Sequence, residues 1–210
     1  MALTGLFLCL FLVVHLLGNL QLLLPPEQAV KDFNGYSKFM TGNPVIKIVS
    51  YLLYLAIILH SVYALVITLS NRKSARGNYA YDKRSAASPW YARNMGILGS
   101  ILLVFLIIHM KDFWYEYKFG DLPLDAAGNK DLYRIVIAAY GELWYVLLNI
   151  VAFIALGYHL LHGFFSAFKT LGAYPPLMWK LLHGLSLGLT LVLTAGFILI
   201  PIYVYLRFHI

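Results

Sequence analysis

Five stretches of this chain are too long and too apolar to have water as their solvent. They run approximately from Leu3 to Leu24, Pro44 to Ser70, Arg93 to Phe119, Glu142 to Lys169 and Leu177 to Leu206. About 20 apolar residues, at about 1.5 Å each, cross the roughly 30 Å of hydrocarbon in a bilayer. Each stretch reaches that length. Each is bounded by helix breakers or charge: Pro25-Pro26, Asn43-Pro44, Asn71-Arg72, Gly120-Asp121, Gly172 and Pro175-Pro176. Composition agrees. The 210 residues are 61% hydrophobic and 12% charged, against about 45–50% and about 25% in soluble domains. Most of that apolar surface therefore has to face lipid. The expected fold is an all-α integral membrane protein, with five transmembrane helices bundled into a single domain over residues 1–210. An ordinary cytosolic enzyme, a disordered chain and a secreted disulfide scaffold are excluded. The first stretch has no basic leader and no A-x-A-like cleavage site, so it reads as a span and not a signal peptide. The single cysteine, Cys9, allows no intramolecular disulfide, and the absence of C-x-x-C-H excludes covalent haem attachment.

The sign of the loops sets a direction. Sixteen Lys+Arg against nine Asp+Glu give a net charge of +7. The link between the second and third spans holds Arg72, Lys73, Arg76, Lys83 and Arg84 against Asp82 alone. The link between the third and fourth holds Asp121, Asp125 and Asp131 against Lys130 and Arg134. Lys169 ends the fourth span and Lys180 begins the fifth. Basic loops stay in the cytoplasm, which puts the N-terminus inside and the C-terminus outside. The basic face then sets topology, docks a soluble partner, or does both. It gives no reason to invoke nucleic acid.

Histidine is the chemistry the spans carry. His15, His60, His109 and His159 fall one in each of the first four spans, about two to four residues past each midpoint. Adjacent spans run in opposite directions, so His15 and His109 lie roughly 3–6 Å to the outer side of the midplane and His60 and His159 as far to the inner side. That makes two pairs at two depths. A lone histidine at such depth is a hydrogen-bonded packing residue or part of a proton relay. Facing imidazoles in pairs suit the two axial positions of a low-spin haem iron. A transition-metal cluster would need carboxylates or thiolates at the same depth, and only Cys9 is present. A retinal-type protein needs a deep lysine, for which Lys47 and Lys111 are badly placed. Small residues near the histidines (Gly18, Gly96, Gly99, Ser100, Gly157 and Gly163), with Gly184, Gly188 and Gly196 on the fifth span, suit either a flat porphyrin or close helix packing. His15 to His60 and His109 to His159 are similar spacings, consistent with two copies of a two-helix unit.

Several runs carry a family likeness. They are Met1-Ala-Leu-Thr-Gly-Leu-Phe-Leu8 continuing to His15-Leu-Leu-Gly18-Asn19, then Asn43-Pro44, Asn71-Arg72-Lys73, Ala92-Arg93-Asn94-Met95-Gly96 and Tyr158-His159-Leu-Leu-His162-Gly163. Over nearly the whole chain the sequence resembles the di-haem cytochrome b558 membrane-anchor subunits of succinate dehydrogenase and fumarate reductase. Members of that family often carry a short basic stretch before the first helix, whereas here the first span starts almost at Met1.

The resemblance implies a bundle enclosing two haem b groups. His60 and His159 would hold the inner, proximal haem, and His15 and His109 the outer, distal one. Family ligands stand four residues before a glycine, as His159 does before Gly163, which leaves His162 in a supporting place beside the haem. Arg93, Lys169 and His183, at cytoplasmic helix ends, are candidates for the inner haem's propionates, or for interfacial snorkelling. Glu27, Asp32, Asp112 and Glu142 lie toward the outer face, where di-haem relatives handle menaquinone, and are candidates for quinone contact or proton relay. Trp90, Trp114, Trp144 and Trp179 at span ends suit an aromatic belt. The implied role is an electron carrier between an iron–sulfur subunit and a quinone in a bacterial inner membrane, with a flavoprotein oxidising succinate. No flavin or dinucleotide glycine motif and no cysteine cluster occurs here, so those cofactors and the dicarboxylate site belong to partner subunits. Two other functions are consistent with the same residues: a di-haem cytochrome b of a hydrogenase or formate dehydrogenase, and a histidine-based proton-coupled transporter.

Overall fold

Inside hydrocarbon every backbone N–H and C=O has to find its partner within the segment, and the helix does this residue by residue. The computed structural model describes residues 1–74, 88–173 and 175–209, and its long apolar stretches are all helical. Arg76, Asp82, Lys83 and Arg84 of the basic link lie outside the described residues.

Helix α1 is Ala2–Asn19, continued by a 3₁₀ turn Leu20–Leu23. Next come α2 Pro26–Gly42, α3 Pro44–Ser74 and the short α4 Trp90–Arg93. Helix α5 spans Met95–Phe119 and contains a π-helical turn, Met110–Tyr115, directly after His109. The chain ends with α6 Leu132–Tyr140, α7 Leu143–Thr170 and α8 Trp179–His209. Five of these helices are long and apolar enough to cross a membrane: α1 with its 3₁₀ turn, α3, α5, α7 and α8. Their bounds lie within about three residues of those read from hydropathy.

The links differ more from expectation than the spans. Pro25-Pro26 does not merely end the first span; Pro26 opens α2, with Glu27 in its first turn, where a missing N–H costs nothing and a negative charge is favoured. Helix α6 is capped by Asp131, whose carboxylate accepts the Arg134 N–H at 3.1 Å. At Asn71-Arg72 the chain does not break. Helix α3 runs on to Ser74 and carries Arg72 and Lys73 in its last turn, where cations suit the helix dipole.

Helix α7 is the centre of the bundle, packed against α1, α5, α6 and α8. Small residues set the approach. A Cβ on Gly157 would lie 2.7 Å from the Thr194 hydroxyl of α8, and one on Gly196 would lie 2.8 Å from Leu16 of α1. Helix α3 is the opposite case. Among its described side chains only Ala56 is buried, and Leu52, Leu55, Ile58 and Val62 stand exposed as a lipid-facing flank.

The two ends of the bundle are built differently. At one end the turn after α1, helices α2 and α6, and the loop between α5 and α6 form a cap. Asn34 of α2, with no exposed surface, ties it together. Its amide donates to Asp125 at 3.2 Å and Asp131 at 3.0 Å, and its carbonyl oxygen accepts the Tyr133 N–H at 2.9 Å. Lys130 donates to the Tyr117 carbonyl at 2.9 Å, and Arg207 donates to the Leu24 carbonyl at 2.7 Å. The other end, where Met1 lies, has no such cap among the described residues. It presents Arg72, Lys73, Arg93, Lys169 and Lys180, all exposed, and no described acid. Every described acid lies at the capped end.

Candidate paired-histidine centres

The four span histidines meet in two pairs. The rings of His15 on α1 and His109 on α5 have centroids 5.8 Å apart at an interplanar angle of 88°. Those of His60 on α3 and His159 on α7 are 6.2 Å apart at 58°. Gly5, which touches His60, precedes His15 on α1 by ten residues, so the pairs sit about 15 Å apart along the bundle.

The His15–His109 pair, nearer the cap, is caged by aromatic rings. Phe11 stacks on His15 at 5.1 Å and Phe197 lies at 5.9 Å. Phe105 and Phe113 flank His109 at 5.5 and 5.2 Å. Phe153 joins Phe105 to Phe197, closing the ring of contacts. The His60–His159 pair sits among small and polar groups instead. The Thr4 hydroxyl lies 3.2 Å from Nδ1 of His60. Cβ atoms on Gly5 and Gly99 would lie 3.5 and 3.9 Å from His60 and His159 respectively. Gly163, one turn beyond His159, has open space where its side chain would stand.

Two features fit a haem iron at each pair. Two imidazoles bound to one metal ion at about 2.0–2.1 Å place their ring centroids about 6 Å apart, the separation found in both. Each centre brings two imidazoles together, the donor set of a bis-histidine haem.

The remaining candidates separate into three groups. His162 lies against Tyr91 at 6.4 Å, and His183 is exposed, stacked on Trp179 at 6.0 Å and 4° and edge-on to Phe165 at 5.2 Å. Arg93 and Lys169 are exposed at the Met1 end. Asp112 and Glu142 meet at the capped end, where they line an open groove of about 460 Å³ with Lys111, Trp144 and Tyr145. Glu27 and Asp32 stay on α2 and do not line it; Asp32 accepts a bond from Gln28 at 3.3 Å.

Tyr145 and Thr4 are the residues that hydropathy and histidine spacing pass over. The Tyr145 hydroxyl is buried and unpartnered. Asp112 is close enough to act on it electrostatically, without a hydrogen bond of ordinary geometry. Phe113 connects this tyrosine to His109, with ring centroids 6.2 and 5.2 Å from them. Thr4 precedes His15 by eleven residues, about three helical turns, so the two share a face of α1. That spacing is the signal that marks Thr4 as bundle-facing. No protein-family model, no curated protein and no solved structure matches this chain.

Proposed function

We propose that the chain is the membrane-anchor subunit of a succinate:quinone oxidoreductase, with one haem b held by His60 and His159 and a second by His15 and His109. The observation that carries this is the pairing of four histidines from four different helices, two by two, at centroid separations of 5.8 and 6.2 Å. When bound, each haem would supply reversible one-electron transfer. The chain supplies everything around that chemistry. Helices α1 and α5 orient one imidazole pair, and α3 and α7 the other. The phenylalanine cage excludes water from the first pair, and lipid-facing α3 shields the second. The anchor holds the two centres at a fixed separation along the path.

The Met1 end would face the cytoplasm. Its exposed bases, with no described acid among them, suit an acidic docking face on an iron–sulfur subunit, itself joined to a flavoprotein. At the capped end the groove between α5 and α7 offers a quinone headgroup the buried Tyr145 hydroxyl as a donor. Asp112 and Glu142 stand at its edge to exchange protons. The quinone would be menaquinone, as in the family the sequence resembles, and the membrane the bacterial inner membrane.

The experiment is haem stoichiometry with a reduced-minus-oxidised spectrum on the complex purified from membranes. Two b-type haems per chain, co-purifying with a covalent-flavin protein and an iron–sulfur protein, are expected. A spectrum without a b-type α band would sink the cytochrome reading and leave a proton-relaying transporter. Two haems with a nickel or molybdenum partner would instead assign the chain to a hydrogenase or formate dehydrogenase.

A further inference from the structure

We propose that Thr4 is the positioning residue of His60, its hydroxyl fixing which ring nitrogen of that histidine faces His159. The inference rests on the reading of His60 as a haem ligand. Thr4 sits in the first turn of α1, where its hydroxyl lies 2.9 Å from the Met1 carbonyl and 3.2 Å from His60 Nδ1. A hydroxyl has one proton to give and can also accept. The Met1 carbonyl only accepts, so the Thr4 O–H donates there. Its oxygen then accepts from the imidazole, which requires the proton of neutral His60 to sit on Nδ1. Nε2 is left with its lone pair free, on the side of the ring from which a metal is bound. Metal-ligating histidines ordinarily hold their second nitrogen in such a bond, and it sets both ring orientation and ligand basicity.

Two of the other three span histidines lack such a bond. Nδ1 of His159, the partner in the same pair, and Nδ1 of His109 in the other pair are buried and unpartnered. Among these three rings only His60 has a side-chain acceptor, and it comes from a different helix. Helix α1 thus serves both centres: it gives His15 to one and the Thr4 hydroxyl to the other, about 15 Å away along its axis.

The test is a redox titration of the b-type haems in the purified complex, for wild type, Thr4→Val and Thr4→Ser. Valine keeps the branched shape of threonine and removes the acceptor. A less basic imidazole favours ferrous over ferric iron. One haem of Thr4→Val is therefore expected to show a ferrous-to-ferric ratio up to about tenfold higher at a fixed potential, a midpoint up to about 59 mV more positive. The second haem should keep its midpoint, and Thr4→Ser should restore the first. In a His109→Ala background, with the other centre removed, the shift should persist. Two haems with both midpoints unchanged in Thr4→Val would overturn the proposal and leave the haem reading standing. Failure of serine to restore the midpoint would overturn it equally. A wild-type complex without b-type haem overturns the haem reading itself.

Discussion

The two histidine pairs bring the same side chains together in opposite surroundings. The His15–His109 pair lies under a hydrogen-bonded cap and inside a cage of phenylalanines. The His60–His159 pair lies toward an uncapped, basic end and is lined by Thr4, Gly5 and Gly99. In the first, ring position is fixed by packing. In the second, a hydrogen bond takes over part of that task because small residues leave the rings room. The contrast suits the proposed function. The end proposed to meet soluble subunits can leave its surface to a partner, whereas the capped end, proposed to meet quinone, seals itself with its own hydrogen bonds.

Removing ligands is the strongest way to break this contrast. His159→Ala and His109→Ala are each expected to lower haem content from two to one per chain, and the double variant to abolish it, read by pyridine haemochrome assay. His162→Ala should keep both haems, since its ring lies against Tyr91 rather than in a pair. Loss of haem in His162→Ala together with retention in His159→Ala would exchange the two assignments. Release of both haems by His109→Ala alone would show that the ends are one cooperative unit.

The cap supplies the next largest effect. Asn34→Ala removes the two amide bonds to Asp125 and Asp131 and leaves the buried Tyr133 N–H without its partner. An unsatisfied buried donor costs about 1–3 kcal/mol. Amide exchange should accelerate across residues 121–133 by a factor corresponding to that cost. The spectrum of the His60–His159 haem should not move. A change confined to the Met1 end would contradict the division into two ends.

A smaller effect is expected in the groove. Tyr145→Phe deletes a buried hydroxyl that makes no hydrogen bond of ordinary geometry in the protein, so the fold should lose little. With a quinone headgroup accepting that hydroxyl, the KM for quinone should rise about two- to tenfold, the weight of about 0.5–1.5 kcal/mol for one hydrogen bond. An unchanged KM would remove the tyrosine from the quinone site and leave the haem arrangement untouched.

How far these features are legible in sequence depends on their range. The spans are, because a solvent of hydrocarbon constrains about 20 residues at a time. The depth of each histidine is, because rise per residue is constant along a helix. The pairing follows from those two facts with alternating direction, and His15 meets His109 and His60 meets His159 as that geometry requires. The cap is not legible by the same means. Asn34 meets Asp125 and Asp131 across some ninety residues of chain, and nothing local to any of them announces the contact. Helix α2 is hidden for another reason: a Pro-Pro pair marks a break and a helix start alike, and only the following turn decides. The glycines divide only in three dimensions. Gly18, Gly157 and Gly196 are consumed by helix packing, while Gly163 stands open beside a histidine.

The weakest effect tests the cap by pH. Asp125 lies outside the spans, in the loop before α6. Burial pushes its carboxyl upward from the ordinary 3.8. That is outweighed by hydrogen bonds from the Asn129 backbone, the Asn34 and Asn129 side chains and the Ala127 backbone, and the net direction is down. Those bonds measure 2.8 Å from the Asn129 N–H, 2.9 Å from the Ala127 N–H, 3.2 Å from Asn34 and 3.3 Å from the Asn129 amide. A carboxylate whose folded value is depressed stabilises fully above its unfolded value and loses that contribution as pH falls through the folded one. The loop should therefore weaken as pH falls below the ordinary carboxylate value of 3.8, ahead of the bundle, whose spans contain few acids. Asp125→Asn keeps a side-chain oxygen for the backbone donors but cannot titrate. Its loop should start weaker, by the difference between charged and neutral acceptors, and respond less to acid than wild type. Equal acid responses in the two proteins, followed by amide exchange at residues 125–131, would place the sensitivity elsewhere in the cap.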